Sequence, residues 1–250
     1  MTAALPTLPG GFRLLHCATV GSTNDELKRL ARDGAADRTV LWADAQTAGR
    51  GRRGRHWVSP PGNLYASLLL RPDCPVAAAA QLGFVAAVAT AEALDRLAGV
   101  AVQCKWPNDL VLYGRKLAGI LLESETGGGD RPDFVVVGIG VNLASAPQGT
   151  ETPAIALSEA GACVTPQAAL AGVAAALAPW LDRWAGDGFL PVRAAWLARA
   201  CGLGGPVRVR LEQATLHGCF ADLDEAGALV LDQPGGRRRV AAGEIFPAQG

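Results

Sequence analysis

Residues 100–124 read VAVQCKWPNDLVLYGRKLAGILLES, and their punctuation decides the fold class. Three apolar runs, Val100–Lys105, Leu110–Tyr113 and Lys116–Ser124, are separated by Trp106-Pro107-Asn108-Asp109 and by Gly114-Arg115. Pro, Asn and Gly between β-rich runs mark tight turns, so the stretch predicts three consecutive strands with a hairpin at Gly114-Arg115. Upstream, Phe12–Val20, Thr39–Ala45 and Leu64–Arg71 read as strands, and downstream Phe134–Val141 adds another. Helices fit Ser22 or Thr23 to Gly34, Pro75–Leu97, Pro166–Ala185 and Leu190–Ala200. Ser22 or Thr23 supplies a cap, and Asp25 or Glu26 three residues on can complete a capping box. Strands interleaved with helices predict an α+β fold, a mixed β-sheet flanked by helices.

After Gly202-Leu203-Gly204-Gly205-Pro206 the character changes to short alternating strands, with turns at His217-Gly218, Glu225-Ala226-Gly227 and Gly235-Gly236. The expected division is a large domain over 1–203 and a small all-β domain over 204–250, too small to be stable unless docked on its neighbour.

Composition narrows the function. Half of the 250 residues are hydrophobic, and 23 Lys+Arg balance 23 Asp+Glu. Zero net charge argues against a chain that coats nucleic acid or an anionic membrane. The start MTAALPTLPGGF has neither a basic nor an apolar segment of a secretory signal, and Val76–Ala91 reads as a buried helix rather than a membrane span. The six cysteines form no C-x-x-C pair, which fits reduced thiols in a cytoplasmic protein and no metal site.

Against that balance, Gly49-Arg50-Gly51-Arg52-Arg53-Gly54-Arg55 places four arginines in seven residues. The spacing matches G-x-G-x-x-G, but Ser59-Pro60-Pro61 follows where a dinucleotide site needs a helix. Arginine forks and glycine amides suit phosphate or carboxylate, and Trp57 beside them suits a flat ring; a solvated basic turn fits the same residues. Lys105 and Asp109 flank the Trp-Pro-Asn turn, Lys116 opens an otherwise apolar strand, and Val137–Leu143 delivers Asn142 at a strand end. Each of these has a plain structural reading on its own.

Taken in order, Ser22-Thr23-Asn24, Gln46 with GRGRRGRHW at 49–57, KWPND at 105–109, GRKLAGIL at 114–121 and GIGVNL at 138–143 resemble the biotin–protein ligases over residues 12–200. The C-terminal segment resembles that family's SH3-like β-barrel. The resemblance implies ATP and biotin as substrates, Mg²⁺ with the nucleotide, and a biotin carboxyl carrier domain, that of acetyl-CoA carboxylase, as partner. Biotinyl-5′-AMP forms first, and a carrier lysine then attacks it.

Carried onto this chain, the family pattern puts Ser22, Thr23, Asn24, Gln46, Arg50, Gly51, Arg52, Lys116 and Gly119 at biotin. It puts Arg52, Arg55, Trp57, Asn108, Lys116 and Asn142 at the nucleotide. Lys116 is expected to bridge the biotin carboxylate and the α-phosphate, with Arg52 on the phosphate side, Lys105 as a further cation, and Asp109 orienting or deprotonating the acceptor lysine. Residues 47–57 are expected to close over the ligand. Some members carry a DNA-binding domain ahead of the catalytic one; the 21 residues before Ser22 lead us to expect an enzyme without repressor function, as a monomer or homodimer. A lipoate ligase or octanoyltransferase is the nearest rival, and a nucleic-acid module using the arginine loop is the more distant one.

Overall fold

The computed structural model describes residues 5–9 and 11–248. Residues 1–4 and 249–250, the outer ends of the two expected domains, lie outside the described residues.

A seven-stranded sheet forms the large domain: β1 (Arg13–Val20), β2 (Thr39–Gln46), β3 (Leu64–Leu70), β4 (Gln103–Lys105), β5 (Asp109–Leu112), β6 (Arg115–Glu125) and β7 (Phe134–Val141), in the order β1-β2-β3-β7-β6-β5-β4. Only β1 and β2 run parallel, because helix α1 (Thr23–Arg32) carries the chain back between them; the remaining pairs are antiparallel. The sheet is therefore mixed, as expected.

Alternation along the strands sorts residues between two helical layers. On one face α1 buries Leu27 and Ala31 against Leu41, Leu69, Phe134 and Val136. On the other, α3 (Leu82–Ala98), α4 (Pro166–Asp187) and α5 (Phe189–Leu197) cover Val40, Trp42, Leu68, Val135, Val137 and Ile139. Central strand β3 is buried along its whole length, which is why LYASLLL reads as a nearly unbroken apolar run. The apolar stretch Val76–Ala98 belongs to this core, with Val85, Val88, Ala89 and Leu94 fully buried.

Four local readings change. The expected helix from Pro75 is split into a short α2 (Val76–Ala79) and α3. The strand expected from Val100 begins at Gln103. The β5–β6 hairpin turns on Tyr113 and Gly114, both left-handed with φ of 52° and 73°, while Arg115 already pairs with Leu112. A two-residue hairpin needs that conformation at both central positions. His217-Gly218 is not a turn but lies inside a strand, β9; a Cβ on Gly218 would stand 2.5 Å from the Asp232 carbonyl, so glycine there serves close packing.

The C-terminal strands β8 (Pro206–Arg210), β9 (Thr215–Leu223), β10 (Leu229–Gln233), β11 (Gly236–Val240) and β12 (Glu244–Pro247) form an antiparallel sheet in the order β11-β10-β9-β8-β12. No ladder joins β11 to β12, so the expected barrel is not closed by hydrogen bonds. Its inner face shares the core of the large domain. Phe220 packs 6.4 Å from Trp196, whose ring lies 5.6 Å from Phe84, and Trp106 Nε1 donates to the Gly227 carbonyl at 3.1 Å.

Gly227 is the tightest point of this junction, with φ +83° and a Cβ position 2.6 Å from the Phe84 ring. Gly227→Ala is expected to destabilise the protein by roughly 1–3 kcal/mol through overpacking and a left-handed backbone. Urea unfolding checks this: the midpoint falls at unchanged slope, and an unaltered midpoint would show that the junction yields freely.

Candidate active site

Strand β7 explains where a ligand can enter. Phe134 and Val136 face α1, and the next two residues on that face are Gly138 and Gly140. Their cross-strand neighbours are Leu121 and Gly119 on β6, and Ser67 and Tyr65 on β3. Where side chains stop, the face opens into a cavity of about 380 Å³. Its walls are the start of α1, the Gly/Arg loop, the segment after β7 and the β11–β12 connection. Every residue singled out in the sequence lines it except Lys105.

Around Gly138 the cavity is polar. Thr23 donates to Gln46 Oε1 from its backbone nitrogen at 2.9 Å and from its hydroxyl at 3.1 Å, and Gln46 Nε2 donates to Ser59 Oγ at 3.0 Å. Ser67 Oγ lies 2.8 Å from Thr23 Oγ1 and 2.6 Å from Asn24 Oδ1. Asn24 sits directly on Gly138, where a Cβ would come within 2.3 Å of its Oδ1. Ser22 caps α1 at only 3.5 Å from the Asp25 nitrogen, the outer limit of a hydrogen bond, so its hydroxyl stays largely available. No capping box closes here, because Asp25 turns to Lys28 and Arg50 instead.

One pleat further along the sheet the character is aromatic and cationic. The Trp57 indole lies across the paired glycines: Cβ atoms on Gly140 and Gly119 would stand 2.7 and 3.1 Å from it. Lys116 Nζ is 5.4 Å from that ring and 2.6 Å from Asp109 Oδ1. Trp57, assigned from the sequence to the nucleotide, and Gly119, assigned to biotin, are thus in contact. Asn108 accepts from Arg52 at 3.1 Å and donates to the Ile120 carbonyl at 2.7 Å. Asn142 donates to the Lys116 and Ile155 carbonyls at 3.4 and 3.3 Å.

The cations differ in how far their charge is already matched. Arg50 reaches Asp25 at 2.6 Å and Glu123 at 2.8 Å, and Glu123 also accepts from Lys28 and from Asn24. Burial pushes the Glu123 carboxyl up, but hydrogen bonds from Asn24, Arg50 and Lys28 outweigh it and hold it below its ordinary range. Arg50 therefore brings no spare charge to a ligand. Arg52 has no carboxylate within ion-pair distance among the described residues, and burial with neighbouring Arg53 pushes its pKa down. A half-buried guanidinium held only by an amide and, at 3.5 Å, the Gly243 carbonyl is the one poised for an anion. Lys105 lies beneath the site, 6% exposed, with its ammonium 4.7 Å from the Phe246 ring; burial lowers its pKa. Of the residues expected at the site, it is the one that the cavity lining does not include.

Residues 17–142 match the Biotin/lipoate A/B protein ligase family, and residues 202–246 the Biotin protein ligase C terminal domain. The chain is 46% identical over 237 residues to a biotin--[acetyl-CoA-carboxylase] ligase of Paracoccus denitrificans, covering 92% of this chain and 98% of the relative.

This chain belongs to the biotin/lipoate A/B protein ligase family.

It is also 35% identical to the bifunctional ligase/repressor BirA of Escherichia coli, over 90% of this chain and 71% of that protein. Its fold superposes on a biotin protein ligase from Aquifex aeolicus in complex with biotin and ATP with a TM-score of 0.81 at 28% identity, covering 94% and 97% of the two chains.

Three residues on which the site's contacts depend were not singled out in the sequence, and of these Glu244 lines the cavity. Ser67 had a signal, as the serine in an otherwise apolar run, and it meets Thr23 and Asn24 at the polar end. Glu123 and Glu244 had none, because each gains its meaning only from arginines far away in sequence.

Glu244 yields a pH dependence. Burial pushes its carboxyl up, but the Arg55 and Arg210 hydrogen bonds prevail and lower it from 4.5 to about 2. A depressed carboxyl stabilises the fold above its unfolded value and loses that contribution as pH falls through the folded one. Stability from Glu244 is therefore full above pH 4.5 and lost towards about pH 2. Urea midpoints measured across this range should fall less steeply for Glu244→Gln than for the wild type; parallel slopes would remove Glu244 as the source.

Proposed function

We propose that the chain is a biotin–protein ligase that forms biotinyl-5′-AMP from biotin and ATP and transfers the biotinyl group to a carrier-domain lysine, releasing pyrophosphate and AMP. The observation that carries this reading is the cavity's polarity along β7: fixed hydrogen-bonding groups at Gly138, and an aromatic ring with Lys116 and Arg52 at Gly140. A ureido head with two N–H donors and one carbonyl meets Ser22, Thr23, Gln46 and Asn24 at the first end. The acid's carboxylate then reaches the cationic end, about two residues or 7 Å along the strand plus the length of the side chains.

The first step brings a carboxylate onto an anionic α-phosphate. Two such charges about 4 Å apart repel by roughly 4 kcal/mol at an effective dielectric of 20. Lys116, held by Asp109, and Arg52, held by Asn108, place cations where the two anions meet. The oxygen–phosphorus bond forms as the bond to pyrophosphate breaks. In the second step the acceptor amine attacks the acyl carbon and AMP leaves. Asp109, 2.6 Å from Lys116, serves as its orienting partner, beside the expected role of orienting or deprotonating the acceptor lysine. Residues 47–57 lie over the site as a cover against water, with Trp57 on the glycine floor.

Mg²⁺ finds no resident cage here. No group of three His, Cys, Asp or Glu side chains among the described residues is placed to hold a metal, and Asp109, Glu151 and Glu244 at the cavity are each engaged by a cation.

The Paracoccus relative's name points to the carrier domain of acetyl-CoA carboxylase as acceptor, the partner we propose. ATP–pyrophosphate exchange by the purified protein should occur with biotin and not with lipoate; exchange with lipoate alone would overturn the pocket assignment. Lys116→Ala should lower the biotin-dependent exchange at least ~100-fold, the scale of removing one electrostatic group from a reaction centre. An unchanged rate would take Lys116 out of the chemistry.

A further inference from the structure

Four charged side chains from four separate segments close a ring at the rim of the cavity. Arg55 of the Gly/Arg loop lies 2.9 Å from Glu244 of β12 and 3.8 Å from Glu151, in the segment after β7. Arg210 of β8 lies 2.9 Å from Glu244 and meets Glu151 with both terminal nitrogens, Nη2 to Oε2 at 2.9 Å. Each arginine touches both carboxylates, and the ring is neutral. Arg55, Glu151 and Glu244 line the cavity; Arg210 does not, and the chemistry above leaves it unused.

A second observation says what Arg210 holds. Pro147, Thr150, Glu151 and Thr152 form one wall of the cavity. This segment is tied at its ends: the Ser145 backbone bonds to Asn63, and the Pro153 carbonyl accepts from the Lys116 nitrogen at 2.7 Å. Between those points, the hydrogen bonds from 146–152 to the rest of the described chain run through Glu151 alone. An isolated exposed ion pair contributes little, but a bidentate fork within a charge network is the geometry that fixes a segment.

We infer that Arg210, from the small C-terminal sheet, is a positioning residue that holds the 146–152 wall through Glu151 for the nucleotide. The inference rests on the reading of the cavity as an ATP site. Arg55 is drawn by two carboxylates and, on that reading, by phosphate. When it turns to the phosphate, Arg210 still bridges Glu151 and Glu244, so the wall stays in place while the loop arginine changes partner. The biotin end, at Gly138, is not touched by the ring.

Arg210→Met tests this by two readouts. In ATP–pyrophosphate exchange with biotin, KM for ATP should rise roughly fivefold or more, while kcat and KM for biotin stay within about twofold. A glutamyl endopeptidase should cut after Glu151 faster than in the wild type, seen as the 152–250 fragment by mass. Arg210→Lys, which keeps the charge but not the fork, should fall between the two. Unchanged ATP KM and unchanged cleavage overturn the inference, and so does an equal rise in both KM values, which would mean general loosening. If Arg210→Met loses its cooperative melting transition, Glu151→Gln removes the other half of the pair and must reproduce the ATP KM shift. Absence of exchange in the wild type would sink the ligase reading, whereas the cleavage comparison would still judge the ring.

Discussion

The site depends on three side chains that are missing. Phe134 and Val136 seat α1 on one face of β7, and Gly138 and Gly140 continue that face with hydrogen atoms only, as Gly119 does on the neighbouring strand. A sheet buried on both sides normally leaves no room inside. Here the room that the glycines leave is taken by Asn24 and Trp57, which line the cavity beside them. Asn24 and Trp57 approach to distances that a single methyl group at Gly138 or Gly140 would forbid.

Charge is arranged around this floor by neutralisation rather than by excess. A chain with equal numbers of acidic and basic residues places a dense arginine loop over its cavity, then matches two of its four arginines locally. Arg50 is matched by Asp25 and Glu123, and Arg55 by Glu151 and Glu244. What remains is Arg53, exposed at the rim, and the half-buried Arg52, with Lys116 leaning on one carboxylate. In a partly desolvated pocket one unmatched cation defines where an anion sits more sharply than a diffuse patch would.

Apolar runs bounded by turn residues made the strands of the large sheet legible to within a few residues, because strands buried on both faces read as continuous apolar sequence. The ordered motifs brought together fourteen of the fifteen residues named for the site, as the cavity lining shows. Lys105 stands apart from the lining, and the sequence could not show it, since a lysine at a strand end reads the same whether it faces a ligand or lies on a distant aromatic ring. His217-Gly218 read as a turn because glycine signals a bend and close packing alike, and only the neighbouring strand distinguishes them. Glu123 and Glu244 were illegible for a related reason: a carboxylate's role is set by cations that the fold, not the chain order, brings near.

The indole of Trp57 covers the paired glycines and makes the floor of the cavity aromatic. A ligand that uses this floor does not expel loosely held water from it; it competes with an aromatic ring already in contact. Its apparent affinity is reduced by the fraction of molecules in which the ring is still down. Small acids, with little surface to set against an indole, bear that handicap in full. A ligand with an extended apolar body recovers it by burying its own surface. An aromatic floor thus favours a ligand with an apolar body over a small acid.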